Sequence, residues 1–182
     1  SSAAHKDGPQ YSAPLEDIDE IEGPKSKRYR FNGLVYDKRN NRLVVCCHYA
    51  FNGYLFSYDL EKRVWSELKN GKKYLFHALA SSPDGRDLYG VKVENKAIST
   101  LTRMDPLGNI VSSTKLDTEI PVLQRKYTIQ ATWSRGYIVL ILGGQFSSVD
   151  KDKALPIAAI EPNKGSVLAA SIAAFKGLEK SK

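Results

Sequence analysis

One stretch of the sequence recurs at a distance of 45 residues. FNGLVYDKRNNRLVVC, residues 31–46, aligns without a gap with FHALASSPDGRDLYGV, residues 76–91. The aligned pairs include Phe31 with Phe76, Leu34 with Leu79 and Leu43 with Leu88. A repeat of this length is the signature of a supersecondary unit that cannot bury its apolar face alone and stacks on its neighbours.

Each copy predicts four short strands joined by hairpin turns. The first unit reads GLVY, RLVVCC, YLFSYDL and VWSEL, and the second reads HALAS, LYGVKV, ISTLTRM and IVSSTKL. These segments are rich in Val, Ile, Tyr and Thr and are separated by turn residues, as is typical of antiparallel strands. A third, more divergent unit begins near Thr128. Asp59, Asp105 and Glu161 end the third strand of their respective units.

Four-stranded antiparallel units that repeat every ~40 to 50 residues are typical of β-propeller blades. The sequence therefore predicts an all-β fold of about three blades, whereas a β-sandwich would explain the strands but not the repeat. Because known propellers have ~4 to 8 blades, we expect a piece of a longer propeller, a ring closed by an oligomer or an open fan. The predicted inter-blade core comprises Val35, Leu43, Val45, Leu55, Phe56, Trp65, Leu88, Val91, Leu101, Ile138, Leu140 and Ile157.

The predicted organisation is an arm followed by one propeller-like domain. Residues 1–28 contain Gly and Pro but few apolar residues, which indicates an extended N-terminal arm. The β domain spans 29–182, with blades at about 29–70, 71–120 and 121–175. Within the last part, residues 166–178 could form a short terminal helix.

Charge and hydropathy limit the classes of partner. The net charge of +7 is spread thinly, and the basic cluster at 25–30 follows an acidic run at 16–22 that offsets it. We therefore expect no nucleic-acid partner. No apolar run approaches the ~20 residues of a membrane span, so we expect a soluble chain. The opening SSAAH, with its small residues and no Met, fits signal-peptide cleavage but equally a truncated boundary. We expect a secreted or periplasmic location, with the cytoplasm as the alternative.

Sequence motifs of common enzymes are absent. The chain has no G-x-S-x-G, H-E-x-x-H, CxxC or phosphate-loop motif. Its two cysteines, Cys46 and Cys47, are neighbours on a predicted strand, where successive side chains point to opposite faces. They are predicted to be small apolar strand residues. These observations favour a binding module over an enzyme, and no catalytic residue is predicted.

The repeated phrases carry a resemblance to a known group. FNGLVYDKRNNRLVV and FHALASSPDGRDLYGV resemble a phrase of propellers in the NHL, YVTN and gluconolactonase/strictosidine-synthase-like groups. GYLFSYDLEKRVWSEL resembles a strand pair of the same proteins. In the gluconolactonase-like members, the Asn of this phrase is a ligand of a catalytic divalent metal, so the resemblance implies that role for Asn32. A Glu and an Asp are also needed there, for which Glu22 and Asp150 are candidates.

Polar residues at the entrances of the inner strands are the predicted ligand-binding positions. They are Asn32, His77 and approximately Gln130, because the inner strands of a propeller begin near its central tunnel. A second candidate surface is the loop that carries Tyr49, Phe51 and Tyr54, since exposed aromatic rings suit sugars and protein contacts. The sequence therefore favours a non-catalytic module for a protein or glycan partner. The alternative is a calcium-type, metal-dependent lactonase-like hydrolase.

Overall fold

Three four-stranded antiparallel sheets make up the structure, a computed structural model that describes residues 29–122, 127–144 and 156–170. In each sheet the strands follow one another in chain order. The sheets are called blade 1 (30–71), blade 2 (78–121) and blade 3 (127–144 and 156–170). The described residues contain no α-helix, and the single 3-10 helix among them, Lys72–Tyr74, joins blades 1 and 2. The all-β prediction is confirmed.

The strand bounds agree with the predicted hairpins. Blade 1 contains β1 (Arg30–Asp37), β2 (Arg42–Tyr49), β3 (Asn52–Asp59) and β4 (Val64–Gly71). Blade 2 contains β5 (Ala78–Ser81), β6 (Leu88–Val91), β7 (Ala97–Met104) and β8 (Ile110–Pro121). Blade 3 contains β9 (Tyr127–Ser134), β10 (Tyr137–Gly144), β11 (Ile157–Ile160) and β12 (Val167–Ala170).

Acidic side chains shape the turns that follow the third strands. Asp59 Oδ1 accepts hydrogen bonds from the backbone N–H groups of Glu61 and Lys62, at 3.0 and 2.9 Å. Asp105 Oδ1 similarly accepts from the N–H groups of Leu107 and Asn109, at 2.9 and 2.8 Å. Such local bonds satisfy backbone donors that a strand ladder no longer pairs. The recurring acidic residue is therefore a feature of the turns.

Blades 1 and 2 pack face to face. The face of a blade that points to the preceding blade is called its leading face, and the opposite one its trailing face. The trailing face of blade 1 meets the leading face of blade 2 in a cluster of Val44, Cys46, Leu55, Tyr74, Phe76, Leu79, Leu88 and Met104, all at most 4% exposed. Gly33 allows the inner strands to approach, because a Cβ atom there would lie 3.1 Å from Ala78 Cα.

Blades 2 and 3 share the larger apolar cluster. Its members are Ala78, Ala80, Tyr89, Val91, Ile98, Leu101, Leu116, Ile120, Val122, Ile129, Ile138, Leu140, Leu142, Ala158 and Ile160. The outer strands also meet, since the backbone N–H of Asp117 donates to Gly165 O at 3.0 Å. Asp117 Oδ1 accepts from the N–H of Val167, also at 3.0 Å.

The inner strands β1, β5 and β9 contact one another. Each of them is the first strand of its sheet, so the three blades radiate from a shared line of contact. Stacking of twisted sheets around such an axis is the arrangement of a β-propeller. The common axis places the entrances of the inner strands side by side.

Three details of the predicted core and termini are wrong. Ile157 is 41% exposed on the trailing face of blade 3, because no described sheet covers that face. Phe56 and Trp65 pack together on the leading face of blade 1, away from blade 2. The predicted helix over 166–178 is wrong where the chain is described, since Val167–Ala170 forms β12 against β11.

Some predictions fall on residues outside the described ranges. These are the arm over 1–28, the loop near Ser147 and the part of the proposed helix after residue 170. Within the described residues, no helix is long and apolar enough to cross a membrane.

Candidate functional site

A cleft of about 390 Å³ opens where the three inner strands meet. Blade 1 contributes Asn32, Gly33 and Leu34 to its wall. Blades 2 and 3 complete the lining with Ala78, Leu79, Ile129, Gln130 and Ala131. The predicted positions Asn32 and Gln130 therefore share one cleft, although they are 98 residues apart in the sequence. Ala78, Leu79 and Ile129 are at most 4% exposed, so Leu34 and the two amide side chains supply much of the accessible surface of the cleft. Its volume is in the range of ligand sites.

Asn32 lies in a β-bulge. The pairing of β1 with β2 shifts between Phe31 and Gly33, so Asn32 has no residue opposite it. Bulges change the direction of a side chain and are frequent beside functional sites. Here Asn32 Nδ2 donates to the Phe76 backbone oxygen at 2.8 Å and lies 2.9 Å from His48 Nδ1. Asn32 thus links blade 1 to the entrance of blade 2.

Both histidines near this entrance are neutral at pH 7. Burial lowers the pKa of His77 to about 4, and the neighbouring His48 and Lys92 add to the effect. Burial also lowers the pKa of His48, with a further contribution from Arg30. The backbone N–H of Val93 donates to His77 Nδ1 at 3.1 Å, so the ring proton of His77 lies on Nε2.

These hydrogen bonds oppose metal binding by the two imidazoles. A metal on Nε2 would require a proton on Nδ1, and that proton would face the donors Asn32 Nδ2 and Val93 N–H. In the described part of the chain, no three His, Cys, Asp or Glu side chains converge as a metal site. Glu22 and Asp150 lie outside it. Metal ligation by Asn32 stays a prediction.

The three aromatic candidates do not form one surface. Phe51 is 81% exposed at the tip of the β2–β3 hairpin, and Tyr49 is 37% exposed beside it. Tyr54 is only 6% exposed, with its ring stacked on Phe56 at a centroid distance of 6.1 Å and edge-on to Tyr29 at 5.1 Å. Tyr49 and Phe51 therefore form the accessible part of the predicted loop surface.

The β2–β3 hairpin lies at the same end of blade 1 as Asn32. Arg30, at the start of β1, pairs with His48, which in turn pairs with Gly53 at the start of β3. The exposed ring of Phe51 consequently belongs to the end of the molecule at which the inner strands begin. His48 was not predicted as a contact of Asn32, because the bulge that brings the two side chains together leaves no sequence signature.

Comparison of the coordinates with solved structures finds propeller proteins. TolB from Acinetobacter baumannii superposes with a TM-score of 0.50 at 13% sequence identity, over 79% of this chain and 32% of that one. The structure of a nidogen/laminin complex gives 0.45 at 12% identity, over 75% and 44% of the two chains. The β-propeller domain of Myceliophteria thermophila Cps50 (Swd1) gives 0.43 at 12%, over 78% and 38%.

The chain thus spans less than half the length of these structural relatives. No protein-family model matches it, and a search of curated protein sequences likewise gives no match. The narrower resemblance to the NHL and gluconolactonase-like groups stays a prediction, and the lactonase alternative gains no support from these matches. By its sheet topology and its likeness to TolB, the chain has a β-propeller-type fold.

Proposed function

We propose that the chain is a non-catalytic β-propeller-type binding module whose axial cleft receives a segment of a protein partner. The observation that carries the proposal is the cleft where the three inner strands meet, in which the amide groups of Asn32 and Gln130 lie near the exposed side chain of Leu34. Amides can pair with the backbone of an extended peptide, while Leu34, 58% exposed, offers an apolar contact to a peptide side chain.

The electrostatics of the entrance agree with binding rather than acid–base chemistry. A general base works best with a pKa near the operating pH. The pKa of His77, lowered to about 4, makes the neutral ring a weak base near pH 7.

A glycan is the second candidate partner, favoured by one observation. Phe51 is 81% exposed at the end of the molecule where Asn32 lies, and sugars stack on exposed aromatic faces. The cleft offers no such ring among its lining residues. A glycan would therefore bind at the hairpin tip, and a peptide in the cleft.

Peptide-display selection and a glycan array, both on the full chain, test the peptide proposal and the glycan alternative. Peptides selected on the wild-type protein should bind Gln130→Trp at least about tenfold more weakly, because an indole would fill the cleft mouth. Thr118→Trp, at an exposed position on β8, is the matched control and should bind like the wild type. Glycan binding lost in Phe51→Ala but retained in Gln130→Trp would replace the peptide proposal with the glycan one.

Calcium provides a separate test. The proposed binding needs no metal, so added Ca²⁺ should leave the melting temperature of the protein unchanged. A calcium-dependent rise that Asn32→Leu abolishes, together with turnover of a lactone, would overturn the proposal in favour of the metal-dependent hydrolase. The proposed secreted or periplasmic location is independent of both outcomes.

A further inference from the structure

Equivalent positions of blades 1 and 2 differ sharply in exposure. Phe76 and Leu79 on the leading face of blade 2 are each 1% exposed, because blade 1 covers them. Their counterparts 45 residues earlier, Phe31 and Leu34, are 49% and 58% exposed. Tyr36, two residues further along β1, is 49% exposed on the same face. The inner strand of blade 1 therefore presents an apolar strip of the kind that a preceding blade would bury.

The trailing face of blade 3 is the complementary open surface. Ile141 and Ile157 are paired across β10 and β11 and are 49% and 41% exposed. Leu168 on β12 is 61% exposed on the same face. The corresponding face of blade 2 is buried, since Val91 and Leu101 lie beneath blade 3. Large exposed apolar groups of this kind mark contact surfaces when they are contiguous.

The two open strips are of opposite type. In both contacts within the chain, a trailing face covers a leading face. The remaining leading strip, on blade 1, and the remaining trailing strip, on blade 3, can therefore form a third contact of the same kind. Two chains related by a twofold axis would satisfy both strips of each chain, and three blades from each would close a six-bladed ring.

We infer that a second copy of this chain packs its blade 3 against the β1 strip of blade 1, and reciprocally. The contact involves the inner part of blade 1, because the outer part of that face is already filled by Tyr29, Tyr54 and Phe56, whose ring centroids lie 5.1 to 6.1 Å apart. It also completes the cleft. Leu34 and Gln130 line the cleft from the two terminal blades, so closure brings the clefts of both copies into one central channel.

Light scattering coupled to size-exclusion chromatography tests the inference on the full chain. The wild type should have twice the chain mass of 20.3 kDa. Leu34→Glu and Ile141→Glu place a charge on the leading and trailing strips, respectively, and each should give the monomer mass. Val111→Glu, at a position 57% exposed on β8, is the matched control and should remain a dimer.

Mixing the two charged variants distinguishes this arrangement from other dimers. One chain of the mixed pair retains an intact leading strip and the other an intact trailing strip, so the mixture should recover dimer that neither variant forms alone. A monomeric wild type would overturn the inference, and so would an Ile141→Glu dimer, because the latter indicates a leading-to-leading contact. Far-ultraviolet circular dichroism spectra equal to that of the wild type, together with cooperative melting, establish that the variants fold, while the melting temperature falls with loss of the dimer. If the charged variants do not fold, Leu34→Ser and Ile141→Ser take their place with the same two readouts.

Discussion

The two inter-blade contacts differ in the size of their apolar clusters and in the kind of hydrogen bond that accompanies them. Between blades 2 and 3, fifteen buried residues form an apolar cluster, and backbone N–H groups donate the two bonds at Asp117 on the outer strands. Between blades 1 and 2 the cluster has eight buried residues, and side chains of blade 1 donate to backbone oxygens of blade 2. Asn32 donates to the Phe76 oxygen, and Arg42 of blade 1 donates to the Pro106 oxygen in the β7–β8 turn of blade 2. The smaller contact thus depends on close backbone approach and on particular bonds.

Gly53→Ala should cause the largest loss of stability, because Gly53 packs against the connection between blades 1 and 2. A Cβ atom at Gly53 would overlap the backbone of Tyr74 in the 3-10 helix that connects blades 1 and 2. Backbone cannot move aside as a flexible side chain does, so we expect a loss of about 4 kcal/mol in the free energy of unfolding, or no folded protein. Gly143→Ala is the control, because a Cβ there meets only Thr128 Oγ1, at 3.0 Å. Urea unfolding curves give both values, and equal stabilities would contradict the close approach.

Truncation within the larger cluster should have the next largest effect. Leu140→Ala removes a fully buried side chain between blades 2 and 3. We expect a cost of about 3 kcal/mol from lost burial and the cavity left behind. Ile141→Ala, one residue along on the half-exposed opposite face, should cost less than about 1 kcal/mol in the monomer. Similar costs for the two substitutions would show that blade 3 does not pack on blade 2 through this face.

Arg42, which donates to the Pro106 oxygen of blade 2 and forms an ion pair within blade 1, should contribute less. Arg42 Nε lies 2.9 Å from Asp37 Oδ2, and the two side chains are 12% and 1% exposed. Arg42→Met keeps the aliphatic length but leaves the buried carboxylate without its cation, so we expect a loss of about 2 kcal/mol. Arg86→Met removes a surface ion pair with Asp84 and should change stability by less than about 0.5 kcal/mol. Thermal unfolding of both variants measures the difference.

The smallest expected effect is a pH dependence at the entrance of blade 2. The folded-state pKa of His77, about 4, is below its unfolded value near 6.5, so the unfolded chain binds the proton first as the pH falls. Stability is therefore full above pH 6.5 and declines between pH 6.5 and 4. Partial solvent access limits the loss to about 1 to 2 kcal/mol.

Replacement of the ring isolates this contribution. His77→Asn should flatten the dependence over that interval, and the remaining slope comes from other groups whose pKa is lowered, among them His48 and Asp105. Stability measured by urea unfolding at several pH values gives the slopes. An unchanged slope in the variant would place His77 in contact with bulk water instead.

Local signals in the sequence predict the strands and turns well, because period-two patterns and turn residues act over a few positions. The hairpins around Asp59 and Asp105 are examples. Whether a strand face is covered by another blade cannot be predicted from such local signals. Ile157 looks like a core residue from its neighbours, yet its exposure depends on whether another blade follows.

The candidate site was predictable as a set of strand entrances but not as a geometry. Asn32 and Gln130 share the cleft as expected from the alignment of the repeats. The bulge that turns Asn32 towards His48 arises from how β1 pairs with β2, which no local pattern encodes. Tyr54 was placed with Tyr49 and Phe51 by proximity in the chain, whereas strand alternation and the ring of Tyr29 bury it.

The meeting of the inner strands is the feature on which fold, cleft and binding proposal depend. Nuclear Overhauser spectroscopy of the isotope-labelled chain measures it directly at the contact between Gly33 and Ala78, where a Cβ on the glycine would lie 3.1 Å from the alanine Cα. Cross-peaks between the Hα protons of Gly33 and the Hα or methyl protons of Ala78 are the predicted result. Their absence from spectra of folded protein, with both residues assigned, would contradict the stacking of blades 1 and 2 around a common axis.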